Sequence, residues 1–266
     1  MTRLTIASWN INSVRLRIDL VSRFLQEYQP DVLCLQEIKT LNAQFPSGAL
    51  RKLGYDFIAV NGQKGYHGVA VASRLPFREE AVRGFCGKGD SRHQSVLLPG
   101  EIELHNFYVP AGGDVPDRDA NEKFAHKLDF LQEMAEWCGD WKQGGARRIL
   151  LGDLNVAPLE HDVWSHKQML GVVSHTPIEV DHLNHVLAAH DWVDVARRFI
   201  PPEEKLYTWW SYRAADWRAS NRGRRLDHIW ASPALAGAVK RFTVVEEARG
   251  WPKPSDHAPI LAELEI

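Results

Sequence analysis

The chain has 266 residues, 44% hydrophobic and 25% charged, an ordinary composition for one large folded domain or two small ones. A net charge of −2 offers no global basic field. Three cysteines in no metal-type spacing argue against a zinc site and a disulfide framework. No run approaches the roughly 18 apolar residues of a membrane span, and Met1-Thr2-Arg3-Leu4 leads into a strand-like run without the apolar core of a signal peptide. The expectation is a cytoplasmic protein with reduced thiols and no membrane partner.

Leu4 to Trp9 alternates as a strand and ends in Asn10-Ile11-Asn12-Ser13, where Asn10 and Asn12 share parity. Val14 to Tyr28 has helical spacing, with a stripe of Leu16, Leu20, Val21, Phe24 and Leu25, and Pro30 stops it. Asp31 to Gln36 is a second strand-like run, with Glu37 at its end and Lys39 close behind. Ala49 to Leu53 reads as a short helix, and Tyr55–Val60 and Gly68–Ala72 as strands around an Asn61-Gly62 turn. Pro99-Gly100 turns a hairpin between Ser95–Leu98 and Glu101–Tyr108. Tyr108 thus stands at a strand end, where half-buried packing accounts for it as well as a functional role does.

Ala120 to Trp141 is the longest helical pattern. The apolar run Ile149-Leu150-Leu151 follows and leaves into Gly152-Asp153-Leu154-Asn155. Asp153 and Asn155 project to one side, and on its own this stretch reads first as a turn. The histidines at 161, 166, 182, 185 and 190 lack the spacing of a ligand set and read as surface residues. From Tyr207 aromatics interleave with arginine: Trp209-Trp210, Trp217-Arg218 and Asn221-Arg222-Gly223-Arg224-Arg225. That texture suits stacking on sugars or bases and contact with phosphates. Leu226 to Trp230 is a strand carrying Asp227, and the proline-framed loop Trp251–Pro259, with Asp256 and His257, leads to a last strand, Ile260–Leu264.

Glu37, Asp153, Asp227 and Asp256 therefore all lie beside apolar strand-like runs. If those ends converge, the site is rich in oxygen and suits a hard divalent ion, Mg²⁺ or Mn²⁺. Such an ion with a base and hydrogen-bond donors meets the needs of phosphate ester hydrolysis. Strand-like runs in both halves, with helices between, favour two packed sheets with helices outside in a single domain spanning residues 1–266.

Trp9-Asn10-Ile11-Asn12, Leu35-Gln36-Glu37-Ile38-Lys39, Tyr108-Val109-Pro110, Gly152-Asp153-Leu154-Asn155, Arg225-Leu226-Asp227 and Ser255-Asp256-His257 occur in order over the whole chain. Together they resemble the exonuclease III family of apurinic/apyrimidinic (AP) endonucleases, within the endonuclease/exonuclease/phosphatase superfamily. The resemblance implies an α/β fold, a four-layer sandwich of two mixed sheets flanked by helices. It implies Glu37 as the main Mg²⁺ ligand with Asn10 and Asp256 near the metal, Asp153 activating water, Asn155 orienting it, and Tyr108 and His257 on the scissile phosphate with Asp227 behind His257. Trp210 is expected against the abasic sugar, with Trp209 packed underneath. Asn12, Arg92, Lys123, Arg213 and Asn221 are expected to contact double-stranded DNA carrying abasic sites or 3′ ends. The implied reactions are cleavage 5′ to abasic sites, 3′–5′ exonuclease action and 3′-end trimming, by a monomer. Ala111-Gly112-Gly113 departs from the family pattern, which often has Gln or Asn directly after Tyr-x-Pro. An inositol phosphate or sphingomyelin phosphatase would share the acid/Asn/His set but not the Trp209–Arg225 surface, and an inactive DNA-binding module would not need so many acids near phosphate.

Overall fold

The computed structural model describes residues 3–141 and 145–266; Met1 and Thr2, at the head of the N-terminal run, lie outside the described residues. In chain order the strands are β1 (Arg3–Asn10), β2 (Val32–Gln36), β3 (Phe57–Asn61), β4 (Val69–Ser73), β5 (Arg78–Glu79), β6 (His93–Leu98), β7 (Ile102–Tyr108) and β8 (Arg147–Asp153). They continue with β9 (Val193–Asp194), β10 (Trp209–Trp210), β11 (Gly223–Arg224), β12 (Asp227–Ala231), β13 (Val239–Val244) and β14 (Ile260–Glu265). One six-stranded sheet has the order β13-β14-β1-β2-β4-β3, the other β5-β6-β7-β8-β12-β9, and β10 pairs β11 in a short hairpin.

Each large sheet is antiparallel except for one central parallel pair, β1 with β2 and β7 with β8. A parallel pair needs a crossover, usually a helix. Helix α1 (Ile18–Tyr28) supplies it in the first sheet and α2 (Glu122–Gly139) in the second. The same two βαβ units therefore carry Asn10 and Glu37 at the carboxyl ends of one parallel pair, and Tyr108 and Asp153 at those of the other.

Strand alternation sorts the layers. Leu4, Ile6, Val32 and Cys34 face Leu104, Ile149, Leu151 and Ile229 between the sheets. Trp9, Leu33 and Leu35 point outward to Val21, Phe24 and Leu25 of α1. Phe107, Leu150 and Trp230 point outward to Phe130, Leu131 and Met134 of α2 and to Leu183 of α3 (Pro177–Ala189). The result is the four-layer sandwich expected. The helix over Val14–Tyr28 is shorter than its spacing predicts. Leu16 is exposed and precedes α1, because Val14–Arg17 form a turn whose Arg17 donates to the carbonyls of Ile11, Asn12 and Lys253.

Candidate active site

Parity continues into the site. Asn10 follows Leu4 and Ile6, Tyr108 follows Leu104, Asp153 follows Ile149 and Leu151, and Asp227 precedes Ile229. All four side chains therefore fall on the inner faces, at the ends of their strands. Beneath them a polar layer ties the sheets together. Gln36 donates to Ser8 Oγ (3.0 Å) and Asn106 Oδ1 (2.7 Å), and Asn106 donates to the carbonyls of Leu35 and Ala70. Polar residues inside otherwise apolar strands were a readable sign of this layer.

Asn10 is the joint of the cluster. Its amide donates to Glu37 Oε1 at 3.0 Å and to Asp153 Oδ2 at 2.8 Å, while its oxygen accepts from Asn12 N at 3.0 Å. Asn10 therefore orients the two acids and turns its oxygen to the Asn12 amide. Buried carboxylates need donors, and the amide nitrogen supplies one to each. Glu37 also pairs with Lys39 (2.8 Å) and takes a hydrogen bond from Tyr108. Burial opposes its ionisation; Lys39 and the hydrogen bonds outweigh burial and hold the carboxyl below its usual range.

On the other side of Asp153, His257 Nδ1 lies 2.8 Å from Asp227 Oδ2, and His257 Nε2 lies 3.7 Å from Asp153 Oδ2. Thr208 Oγ1 donates to the same Asp227 oxygen at 2.6 Å and accepts from the amides of Leu226 and Asp227. Burial alone would drive His257 neutral, but the charges of Asp227 and Asp153 overcome it and lift the imidazole to about 10. Asp153 is pushed up to about 7, first by burial and then by Asp227 and Glu37, against the pull of His257. Burial, Glu37 and Asp153 hold Tyr108 well above its ordinary value, so its hydroxyl remains a donor.

The turn after β8 is built to present Asp153 and Asn155. Gly152 adopts φ 135°, and a Cβ there would stand 1.9 Å from the Phe107 carbonyl oxygen on the neighbouring strand. Asn155 sits at φ 54°; its amides reach Asp153 Oδ1 (3.0 Å) and Oδ2 (3.1 Å), and its carbonyl accepts from Lys127 Nζ at 2.7 Å. Glu37 (φ 49°) and Asn12 (φ 46°) are left-handed as well, and such conformations cluster at functional sites. Lys127, wholly buried against Glu179, was hidden in the sequence within a helical pattern. Gly112, at φ 88°, leaves room for its stem. Lys39 and Thr208 also belong to the site though the sequence does not single them out; the closeness of Lys39 to Glu37, two residues away, is its only sequence signal.

Asp256 is held by Asn12 Nδ2 (3.1 Å) and Trp209 Nε1 (2.9 Å). The tryptophan pair is reversed from expectation. Trp210 is 2% exposed, packed on Tyr207 and Trp217, with its Nε1 on Asn221 Oδ1, whereas Trp209 is partly exposed beside Asp256. Adjacent strand residues face opposite ways, and here the core takes the second. Asn221 thus braces Trp210. Arg92 is also a correction: it is 6% exposed, pairs with Asp90, donates to the Tyr108 carbonyl and stacks on the Tyr108 ring. It positions Tyr108 and is not a surface phosphate contact. Lys123 and Arg213 are exposed, as DNA contacts require.

Among the described residues, Asp153, Asp227 and His257 form a group with one potential ligand atom each, all within 4.8 Å of one another. The Asp227–His257 hydrogen bond already engages two of them. Glu37 and Asp153, joined by Asn10, and Asp256, joined to Asn12, gather carboxylate oxygens in one place, a donor set that fits a hard divalent cation. The arrangement combines a buried carboxylate near neutral, a supported imidazolium, a phenol donor and an oxygen-rich acidic corner.

Residues 7–257 match the endonuclease/exonuclease/phosphatase family. Exodeoxyribonuclease III of Haemophilus influenzae is 30% identical over 97% of this chain and 98% of its own length. Among solved structures, an AP endonuclease from Archaeoglobus fulgidus superimposes with a TM-score of 0.90 at 31% identity, covering 99% of this chain and 100% of that one. A 3′ phosphatase from Neisseria bound to product DNA hairpin gives 0.89 at 31%, with the same coverage.

Proposed function

This chain belongs to the endonuclease/exonuclease/phosphatase family, and from that premise we propose that it is a DNA-repair nuclease of the exonuclease III type. It hydrolyses phosphodiesters on the 5′ side of abasic sites and trims 3′ ends of double-stranded DNA. The observation that carries this reading is Asp153 held between two systems, Asn10 with Glu37 on one side and His257 with Asp227 on the other.

Asp153 takes a proton from a water that Asn155 orients, and the water oxygen forms the new bond to phosphorus. His257, held protonated by Asp227, and the Tyr108 hydroxyl donate to the phosphoryl oxygens. The bond to the 3′ oxygen breaks, and the phosphate stays on the departing unit. Glu37, with Asn10 and Asp256 nearby, would hold Mg²⁺, or Mn²⁺ in its place, and such an ion would supply charge neutralisation at the phosphoryl oxygens. Lys123 and Arg213 contact the DNA backbone. β1 and β14 pair in one sheet, which supports a single domain over residues 1–266; we take that domain to work as a monomer. Three free cysteines support a cytoplasmic setting, and no described helix is long and apolar enough to cross a membrane.

The test is cleavage of labelled duplex DNA with and without one abasic-site analogue, beside an inositol phosphate control. Incision 5′ to the analogue, lost with EDTA and restored by Mg²⁺, is expected. Turnover of the inositol phosphate alone, or indifference to chelator, would overturn the assignment.

A further inference from the structure

Against Trp209, the residue that holds Asp256, opens a cavity of 960 Å³ lined by Trp164, Met169, Arg213, Arg222 and Arg224 among others, with Asp114 as its one acid. Cleavage 5′ to a unit leaves the phosphate on that unit, so the unit must lie beside the catalytic cluster, and this cavity adjoins it. Arg213 and Arg222 are exposed arginines on its rim. Arg224 is different. It stands directly across the β10–β11 hairpin from Trp209, its guanidinium carbon 5.0 Å from the centre of the indole. One terminal nitrogen donates to the Val173 carbonyl (3.1 Å) and to Ser174 Oγ (2.9 Å), while the buried Nε has no partner.

Its neighbour Arg225 is paired with Asp162 and Asp194, and Glu179 is taken by Lys127; among the described residues no carboxylate lies within ion-pair distance of Arg224. A guanidinium drawn out of water, with the nearby Glu179 already paired elsewhere, is costly. Here the cost falls on a cavity wall, where a ligand's anion can offset it. The guanidinium also covers the Trp209 ring, so this wall meets a ligand as a cation.

We propose that Arg224 is the specificity residue of this cavity, receiving an anionic group carried on the 3′ side of the scissile phosphate. The inference rests on the nuclease reading above. The anion has two sources of the same chemistry: the next backbone phosphate of an internal site, or a charged group blocking a 3′ end.

Two matched pairs test it. The first is a duplex with an internal tetrahydrofuran unit followed by either a phosphate or a neutral methylphosphonate. The second is a 3′ end bearing a phosphate-linked glycolate or its neutral hydroxyethyl counterpart. The readout is the kcat/KM ratio of anionic to neutral member, which cancels any loss of folded enzyme. Charge-assisted hydrogen bonding predicts a ratio of about tenfold or more in at least one pair for the unaltered protein. The pair that responds identifies the source. Arg224→Leu should bring that ratio near one, and Arg224→Lys should keep part of it. Ratios near one in the unaltered protein, or a ratio that survives Arg224→Leu, overturn the proposal while leaving the nuclease reading intact. Failure to cleave any of the substrates overturns both.

Discussion

Asp153 can serve as a base because its surroundings conflict. Burial and two neighbouring carboxylates push its proton affinity up to about 7, while Asn10, Asn155 and His257 favour the ionised form. Asp153→Asn keeps the side chain's size and removes the proton acceptor. Single-turnover incision of an abasic duplex should fall by roughly 10²–10⁴, the usual range for a positioned base. DNA binding, read by fluorescence anisotropy, should stay largely intact, and full activity would sink the assignment. Asp227→Asn tests the next residue out. Without that charge the imidazole at 257 loses the first of the causes that raise it, so activity should fall and its loss with rising pH should begin at lower pH. A pH profile unmoved by the substitution would show that Asp227 only fills space.

The βαβ unit is the element that turns side-chain parity into a site. Alternation in each strand puts Asn10, Tyr108, Asp153 and Asp227 on the inner faces; the sequence shows them at the ends of apolar runs, and the pairing of the sheets decides which face is inner. What strand periodicity does not encode is where the strands stop alternating. Glu37 and Asn155 reach the cluster through left-handed backbone, and Gly152 through a contact with the Phe107 carbonyl, all set by neighbours distant in sequence. The order within Trp209-Trp210 was hidden for the same reason, since both faces of a two-residue strand can take an indole. Gly152→Ala should be severely destabilising, because backbone at 1.9 Å cannot yield as a flexible side chain would; a melting midpoint within a few degrees of the parent would refute the geometry. Lys127→Met should cost about 3 kcal/mol, the scale for leaving a buried partner charge uncompensated. It should also slow incision, because the Asn155 carbonyl loses its donor. Glu179→Gln added to Lys127→Met should recover part of the stability and none of the rate.

Across the whole molecule the sandwich buries an unusual load of histidine. His93, His105, His126, His175, His190 and His228 are all at most 9% exposed, and burial holds every one below its ordinary value, His126 at about 4 and His228 at about 3. The sequence placed His190 among surface residues because helical spacing does not show what packs over a helix end; here Trp141 and Trp192 do. Unfolded, these histidines take up protons as pH falls through about 6.5; folded, they take them up only at lower pH. Between those limits the unfolded chain binds more protons, so stability falls as pH falls. At pH 5 His228, held at about 3, costs on the order of 2 kcal/mol, from 1.5 pH units at about 1.36 kcal/mol each. Asp153 acts in the opposite sense. Raised to about 7, it is protonated in the folded state while the unfolded carboxyl is still ionised, and it returns stability over the same window. His257, raised to about 10, is protonated in both states below about 6.5 and contributes no slope there; above it the stabilisation is lost progressively as pH rises through 10, so between pH 7.5 and 6.5 it acts in the same sense as Asp153. Six histidines against one aspartate leave a net acid sensitivity, and the melting midpoint should drop by on the order of 10 °C between pH 7.5 and pH 5. Scanning calorimetry at fixed ionic strength checks it. A midpoint that is flat or rising toward pH 5 would mean that the buried histidines are protonated in the folded protein.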